Sequence, residues 1–399
     1  MRVVIFDELR GDTPHSFEVF LEGFLAHLSA AELPFEVIRP GWRVPGTRPQ
    51  LIHSLLAAVT RQLIYPIWAR KRFSSDAIHF LVSGGLVQML WICPAGYRTV
   101  VFCHDTFPFL AATFPDELGH RLDYGGRLRA RYLTMVQAGA FRRADLIVAP
   151  SHRTRADLIR IARVAPERVV VIPHRIDSTK FFPGDKCAAR IELGWPPDAP
   201  IVLAVISAER RKNLGALLRG FESLSAREPD ARLAIVGELS ASQLRRCERL
   251  RASGRLILLR GISVEKLASC YRAADCLSHL SFYEGFGYPL AEAMACGCPI
   301  VCAARGATPE IVGESAEYVE SFEPDAVAAA LERVVLDASR QNELGAMGLS
   351  RAQTFFAERP YAEVLRRLWQ SDVLPKQGPA PAPESGYRLV VAAGEEPNP

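Results

Sequence analysis

A β-branched run recurs through the first 170 or so residues with helical stretches between its copies, and the pattern then starts again. The first set is Val3-Val4-Ile5-Phe6, Phe35-Glu36-Val37-Ile38, Ile78 to Val82, Thr99-Val100-Val101-Phe102, Leu146-Ile147-Val148 and Val169-Val170-Val171-Ile172. Alternation of this kind implies βα units and parallel sheets. Breaks at Phe182-Pro183-Gly184-Asp185 and Trp195-Pro196-Pro197-Asp198-Ala199-Pro200 place an interdomain linker over 183–200. The second set is Ile201 to Ile206, Leu233-Ala234-Ile235-Val236, Leu256-Ile257-Leu258-Leu259, Cys276-Leu277-Ser278 and Pro299-Ile300-Val301-Cys302. The expected fold class is therefore α/β, with two Rossmann-like doubly wound parallel sheets in tandem over 1–182 and 201–356. Ligands of open α/β sheets bind outside the carboxyl ends of the strands, so two such domains facing one another are expected to enclose a central cleft. A helix around Tyr361–Trp369, within 357–372, is expected to return toward the first domain. The tail 373–399 opens on Pro375-Lys376-Gln377-Gly378-Pro379-Ala380-Pro381-Ala382-Pro383, too proline-rich for helix or sheet, and reads as disordered.

Several function classes fall away early. Hydrophobic residues are 49% and charged residues 23%, close to the globular average, which argues against a disordered, collagen-like or coiled-coil chain. The net charge of +4 is too small to support nucleic-acid binding by itself, and no motif for it is present. Residues 1–200 carry 25 Lys and Arg against 19 Asp and Glu, so the front half is the basic one. No G-x-G-x-x-G follows the first run and no G-x-x-x-x-G-K-[ST] occurs, which disfavours a dehydrogenase and a phosphate-cradling NTPase. The nine cysteines cluster only at Cys296, Cys298 and Cys302, with no histidine at zinc-finger spacing, and read as reduced thiols. The N-terminus turns acidic at Asp7 before a secretory apolar region forms, so a cytoplasmic location is expected. Ala77 to Tyr97 is uncharged and long enough for a membrane span, but Gly84-Gly85 and Pro94 break it into a buried strand followed by a short apolar helix or loop.

The segment richest in chemistry runs from Ser281-Phe282-Tyr283-Glu284-Gly285-Phe286-Gly287 through Tyr288-Pro289-Leu290-Ala291-Glu292 to Ala295-Cys296-Gly297. Glycines permit a tight turn and close backbone approach, Pro289 suits the first helical position, and Gly297 suits the stop. Glu284 is then expected in the loop and Glu292 in the first helical turn, with phosphates above the helix N-terminus and sugar hydroxyls on the carboxylates. The plainer reading is a helix whose acidic residues favour its dipole. A second site is Arg210-Arg211-Lys212-Asn213, after the strand Ile201–Ile206, where cations can neutralise a diphosphate. The alternative there is a solvated charge run. His104, with Asp105 beside it, follows Thr99 to Cys103 and so stands at a strand end.

With these residues in view, the chain resembles the retaining glycosyltransferases of family 4, also called glycosyl transferases group 1, which have the GT-B fold. The resemblance rests on Glu284 and Glu292 at E-x7-E spacing around Gly285-Phe286-Gly287. Supporting pieces are Ala274-Asp275, Ala293 to Val301, Gly306-Ala307-Thr308-Pro309-Glu310-Ile311-Val312-Gly313, His104-Asp105, Ala144 to Ser151 and Val171 to Asp177. It implies sugar transfer from a nucleoside-diphosphate sugar with retention, without metal or other cofactor. On the matching positions, Glu284 holds the donor sugar hydroxyls, Glu292 the ribose, Arg211 and Lys212 the diphosphate, and Gly285, Phe286 and Gly287 offer backbone contacts. His104 is expected to contact the reacting sugar. By family frequency the sugar is a hexose, with GDP-mannose ahead of UDP-glucose.

Three departures fall mainly on the acceptor side. The family's glycine-rich loop is replaced by Leu9-Arg10-Gly11-Asp12-Thr13, so Gly11 and Asp105 are the acceptor-side candidates. Ile206-Ser207-Ala208 replaces a Gly-Arg pair, and Arg175 stands where glycine is common. They point to an unusual acceptor; the basic front half and the segment Leu63–Phe73 are what make a saccharide or lipid-linked saccharide of cell-surface polysaccharide or lipopolysaccharide synthesis the expected one. Leu63-Ile64-Tyr65-Pro66-Ile67-Trp68-Ala69-Arg70-Lys71-Arg72-Phe73 mixes apolar, aromatic and basic side chains, as a surface on anionic headgroups does, so a peripheral position on the inner face of the cytoplasmic membrane is expected. An amphipathic core helix with a basic end is the other reading. A nucleotide-sugar epimerase or hydrolase of the same fold, or an inactive binding subunit, are the rival functions.

Overall fold

The computed structural model describes residues 2–8, 15–40, 59–94, 96–107, 109–110, 124–355 and 388–391. The chain divides into two compact units, the second running from His174 to Ala357. The first holds a seven-stranded sheet of β1 (Arg2–Phe6), β2 (Phe35–Arg39), β3 (Ala77–Leu81), β4 (Arg98–Phe102), β5 (Leu146–Ala149), β6 (Val169–Val171) and β13 (Arg388–Val391). Its order is β13-β2-β1-β3-β4-β5-β6, and each neighbouring pair is parallel. The second unit holds β7 (Ile201–Val205), β8 (Arg232–Val236), β9 (Leu256–Leu259), β10 (Cys276–His279), β11 (Ile300–Ala303) and β12 (Glu317–Val319), in the parallel order β12-β11-β10-β7-β8-β9.

Strands buried on both faces read as unbroken apolar runs, and every residue of β3 and β4 is buried. In β7 the side chains of Ile201 and Leu203 join one apolar cluster while Val202 and Ala204 join the other, so the period of two splits the core into two layers around the sheet. His79 sits inside β3 as a neutral ring. Its Nε2 accepts from the Ser74 amide at 3.0 Å and Nδ1 donates to the Arg98 carbonyl at 3.0 Å, and burial pulls its pKa down to about 4.

In the second sheet the chain adds β8 and β9 on one side of β7 and then crosses back to add β10, β11 and β12 on the other. The connections leave the carboxyl ends of β7 and β10 in opposite directions, opening a crevice where ligands of such sheets bind. The first sheet reverses in the same way between β1 and β3.

Two expectations change and a third, for the uncharged stretch from Ala77, holds. The segment 183–200 is not a free linker: it contains the helix Lys186–Leu193, which starts on the Asp185 side chain and ends at Gly194 with φ 66°. Arg190 inside it donates to the Ala273 carbonyl at 3.0 Å and to Asp275 Oδ2 at 2.8 Å, so the segment belongs to the second unit. Prolines on both flanks hide these eight residues in the sequence. The tail is not wholly without structure, because Arg388-Leu389-Val390-Val391 pairs with β2 from Glu36 to Arg39; this short β-branched run lies beyond the prolines. The stretch from Ala77 to Trp91 is β3 followed by a 3-10 helix, Gly84–Trp91, and among the described residues no helix is long and apolar enough to cross a membrane. The helix expected around Tyr361–Trp369 lies outside the described residues.

Candidate active site

After β7 the chain makes a single 3-10 turn, Arg210–Lys212, and Asn213 then takes a left-handed φ of 50° to head the helix Leu214–Arg227. Asparagine tolerates this conformation and its side chain accepts from the Ala216 amide, which caps the helix. After β10 a loop carries Phe282 to Gly287 into the helix Tyr288–Ala295. The two connections are tied by the Phe282 amide, which donates to the Arg211 carbonyl at 2.8 Å.

This tie brings Arg211, Lys212 and Glu284 together. Arg211 Nη1 lies 2.5 Å from Glu284 Oε2, and Lys212 Nζ 2.7 Å from Oε1. Glu284 is only 4% exposed. Burial pushes its carboxyl up, but Arg211 and Lys212, with His279, outweigh that and hold it well below the usual carboxylate range. The charged form is therefore stable in the interior only because two cations face it. From behind, the loop rests on the chain after β11: the Ala307 amide donates to the Glu284 carbonyl at 2.9 Å. A Cβ on Gly306, whose φ is 58°, would stand 2.5 Å from the Glu284 nitrogen, so only glycine lets the two backbones meet there.

Of the two glycines flanking Phe286, Gly287 alone takes a positive φ, 98°, directly before the helix; Gly285 does not. Phe286 is buried against His174, ring centroids 5.0 Å apart at 77°, and His174 stacks on Tyr288 at 5.0 Å and 10°. Arg175 does not take a positive φ, so the turn after Pro173 is built without the glycine conformation.

Glu292 lies in the second turn of its helix, not the first, because the helix starts at Tyr288 and Pro289 is its second residue. The Tyr271 hydroxyl donates to Glu292 Oε2 at 2.7 Å. Although the residue keeps part of its surface exposed, burial raises the carboxyl pKa to about 7 against the pull of Tyr271 and Lys212.

The first unit carries His104 and Asp105 after β4. His104 Nε2 donates to the Val82 carbonyl at 2.7 Å, and its ring meets Phe20 edge-on at 4.6 Å. Burial pulls its pKa down to about 4, so it is neutral at physiological pH and a weak base. Asp105 Oδ1 accepts from the Phe107 amide at 3.1 Å, a local turn. Gly11 lies outside the described residues.

Two groups escaped the sequence reading. His279 closes β10 with its Nε2 3.2 Å from Glu284 Oε1; a histidine directly after the run Cys276-Leu277-Ser278 was the available signal. Buried Asp7 and Glu8 follow β1 directly. Asp7 pairs with Arg39 at 2.5 Å, the Tyr65 hydroxyl donates to the Asp7 carbonyl at 2.6 Å, and Ser83 bonds Glu8. Glu8 and Ser83 thus stand where the first sheet reverses.

Comparison with known proteins agrees with this architecture. The pattern of "Glycosyl transferases group 1" matches residues 185–351 and that of "Glycosyltransferase Family 4" residues 14–180, together most of the chain. D-inositol 3-phosphate glycosyltransferase 2 of Catenulispora acidiphila is 33% identical over 225 residues, 53% of each chain; the chain spans about half the length of the curated relatives it matches. Among solved structures, sucrose-phosphate synthase from Thermosynechococcus elongatus superposes with a TM-score of 0.73 at 20% identity, covering 92% of this chain and 98% of its own. Anabaena HepE in complex with UDP and glucose gives 0.69 at 17% identity, covering 92% and 99%. Two parallel doubly wound sheets, a carboxylate and two cations at the reversal of the second, and matches along both halves make this chain a member of the family 4 glycosyltransferases, with the GT-B fold.

Proposed function

We propose that the chain transfers a hexose, with retention, from a nucleoside-diphosphate sugar to a saccharide or lipid-linked acceptor of cell-surface polysaccharide or lipopolysaccharide synthesis. The observation that carries this reading is the buried Glu284 carboxylate gripped by Arg211 and Lys212 at the reversal between β7 and β10. A diphosphate arriving there finds two cations that neutralise it and stabilise the charge developing as it leaves. Released from them, Glu284 accepts hydrogen bonds from the sugar hydroxyls, while Glu292 accepts from the ribose. Gly285, Phe286 and Gly287 offer backbone groups to the sugar. His104, neutral and anchored through Nε2, serves as a contact to the sugar and not as the base; the leaving phosphate deprotonates the acceptor. No metal is required by these roles.

The Glu292 role has a pH signature. A carboxylate that accepts from ribose must be ionised, and this one titrates near 7, so nucleoside diphosphate affinity is expected to fall about tenfold as pH drops from 8 to 5.5. Calorimetric titration with UDP and GDP checks it. A Glu292→Gln variant that keeps the wild-type pH dependence contradicts the role.

The membrane position is supported by the turn Thr60–Ile64, the helix Tyr65–Ala69 and the turn Arg70–Arg72. Tyr65, Pro66 and Ala69 are buried, while Leu63, Ile64 and Ile67 are 58%, 49% and 67% exposed next to exposed Arg70 and Lys71. An exposed apolar face with adjacent cations suits anionic headgroups. Flotation with vesicles containing phosphatidylglycerol should carry the wild type upward, and the double substitution Leu63→Glu, Ile67→Glu should leave it at the bottom. No flotation of wild type at moderate salt removes the idea.

The function itself is tested by nucleoside diphosphate release from a panel of GDP-, UDP- and ADP-sugars, GDP-mannose and UDP-glucose first, with and without a bacterial lipid extract. Release from one donor that depends on the extract supports transfer to a lipid acceptor. Release that needs no acceptor favours an epimerase or hydrolase, and binding without release favours an inactive subunit.

A further inference from the structure

The imidazole of His279 has no place in the roles assigned above. It is 4% exposed, and among the described residues its Nε2 makes no well-aligned hydrogen bond, only a weak contact to Glu284. That nitrogen stands 3.2 Å from Glu284 Oε1, the oxygen that Lys212 Nζ holds at 2.7 Å. Buried ring nitrogens have partners as a rule, and here the oxygen beside the ring is already engaged. The charged groups facing the ring are Glu284 from the loop after β10, and Lys212 and Arg211 from the turn after β7. Burial and the two cations keep it neutral, while the carboxylate pulls the other way.

We propose that His279 is a positioning residue: when a diphosphate draws Arg211 and Lys212 off Glu284, the imidazole takes Oε1 and keeps the carboxylate aimed at the sugar. This rests on the donor-site reading above. Glu284 is too deeply buried to turn to water, and a buried carboxylate that loses both cations without a replacement takes up a proton. A protonated Glu284 accepts fewer hydrogen bonds from the sugar. The Nε2–H of His279, already within 3.2 Å, prevents this without moving the loop. Neutralisation of the cations by phosphate also removes the smaller of the two influences that hold the ring neutral, burial being the larger, so its hold on a proton strengthens as the diphosphate binds.

The contact is tested without any donor by 15N histidine NMR. Lys212→Met vacates Oε1, and the His279 signals, identified by their loss in His279→Gln, should show a downfield Nε2–H and titrate at least about one pH unit higher than in wild type. Glu284→Gln in the Lys212→Met background should abolish both changes. Ring signals unmoved by Lys212→Met would overturn the proposal. With a donor found by the panel, His279→Leu should lower kcat about tenfold or more at unchanged donor KM, and His279→Gln, which keeps an N–H donor, should restore most of it. Equal losses in both variants that follow their melting temperatures would make His279 merely structural and also overturn it. Silence across the panel counts against the donor-site reading, while the NMR comparison still decides whether His279 takes Glu284.

Discussion

Glu284→Ala is expected to lower sugar transfer by at least about 100-fold while leaving nucleoside diphosphate affinity within about threefold of wild type. The expectation follows from separating the two halves of the donor. The carboxylate is assigned to the sugar and the cations to the diphosphate, and a charged acceptor contributes about 1.5–3 kcal/mol per hydrogen bond, so two lost bonds reach this size. Removing the carboxylate leaves Arg211 and Lys212 without the anion that now holds them at 2.5 and 2.7 Å, but both reach part of the solvent, where they keep their charge. Glu284→Gln removes the charge with little change of volume and should lose nearly as much. Parallel loss of transfer and of UDP or GDP affinity would show that Glu284 holds the nucleotide end, contrary to its assigned role.

The complementary loss is expected for Lys212→Ala. UDP or GDP affinity should weaken about 10- to 100-fold, the size of one charge-assisted hydrogen bond to phosphate, whereas uridine or guanosine affinity should change little. The variant also takes away one of the two cations that offset the burial of Glu284, so its carboxyl pKa should rise. Calorimetry with nucleoside and nucleoside diphosphate side by side separates the effects. Equal weakening of both ligands would place Lys212 outside the diphosphate site.

Much of the second unit is legible in the sequence because parallel strands buried on both faces leave apolar runs, and because Gly287, Gly297 and Glu284 sit at positions where backbone geometry or charge admits few alternatives. The pairing of Glu284 with Arg211 and Lys212 is not legible: the residues are more than 70 positions apart, and what joins them is the strand order that sets β7 beside β10. The start of the helix before Glu292 is ambiguous by one residue in the sequence because Pro289 suits either of the first two helical positions, and the observed start at Tyr288 moves Glu292 into the second turn. The helix Lys186–Leu193 looks like linker in the sequence because its prolines and glycines lie just outside it, where caps and stops belong. The edge strand Arg388–Val391 is four residues long, too short for a period to emerge behind a proline-rich stretch. Asp7, Glu8 and His279 follow or end largely buried strands, and at such positions a polar residue is the signal of a sheet's carboxyl edge.

The most direct test of the donor-site account is a crystal structure of the protein with an unreactive nucleotide-sugar analogue, such as a 2-fluoro sugar of the donor the panel selects. The account predicts Arg211 and Lys212 on the diphosphate, Glu284 within hydrogen-bond distance of the sugar hydroxyls, and Glu292 on the ribose. A bound nucleotide sugar with Arg211 and Lys212 still closed on Glu284, and the diphosphate held by other residues, would contradict it.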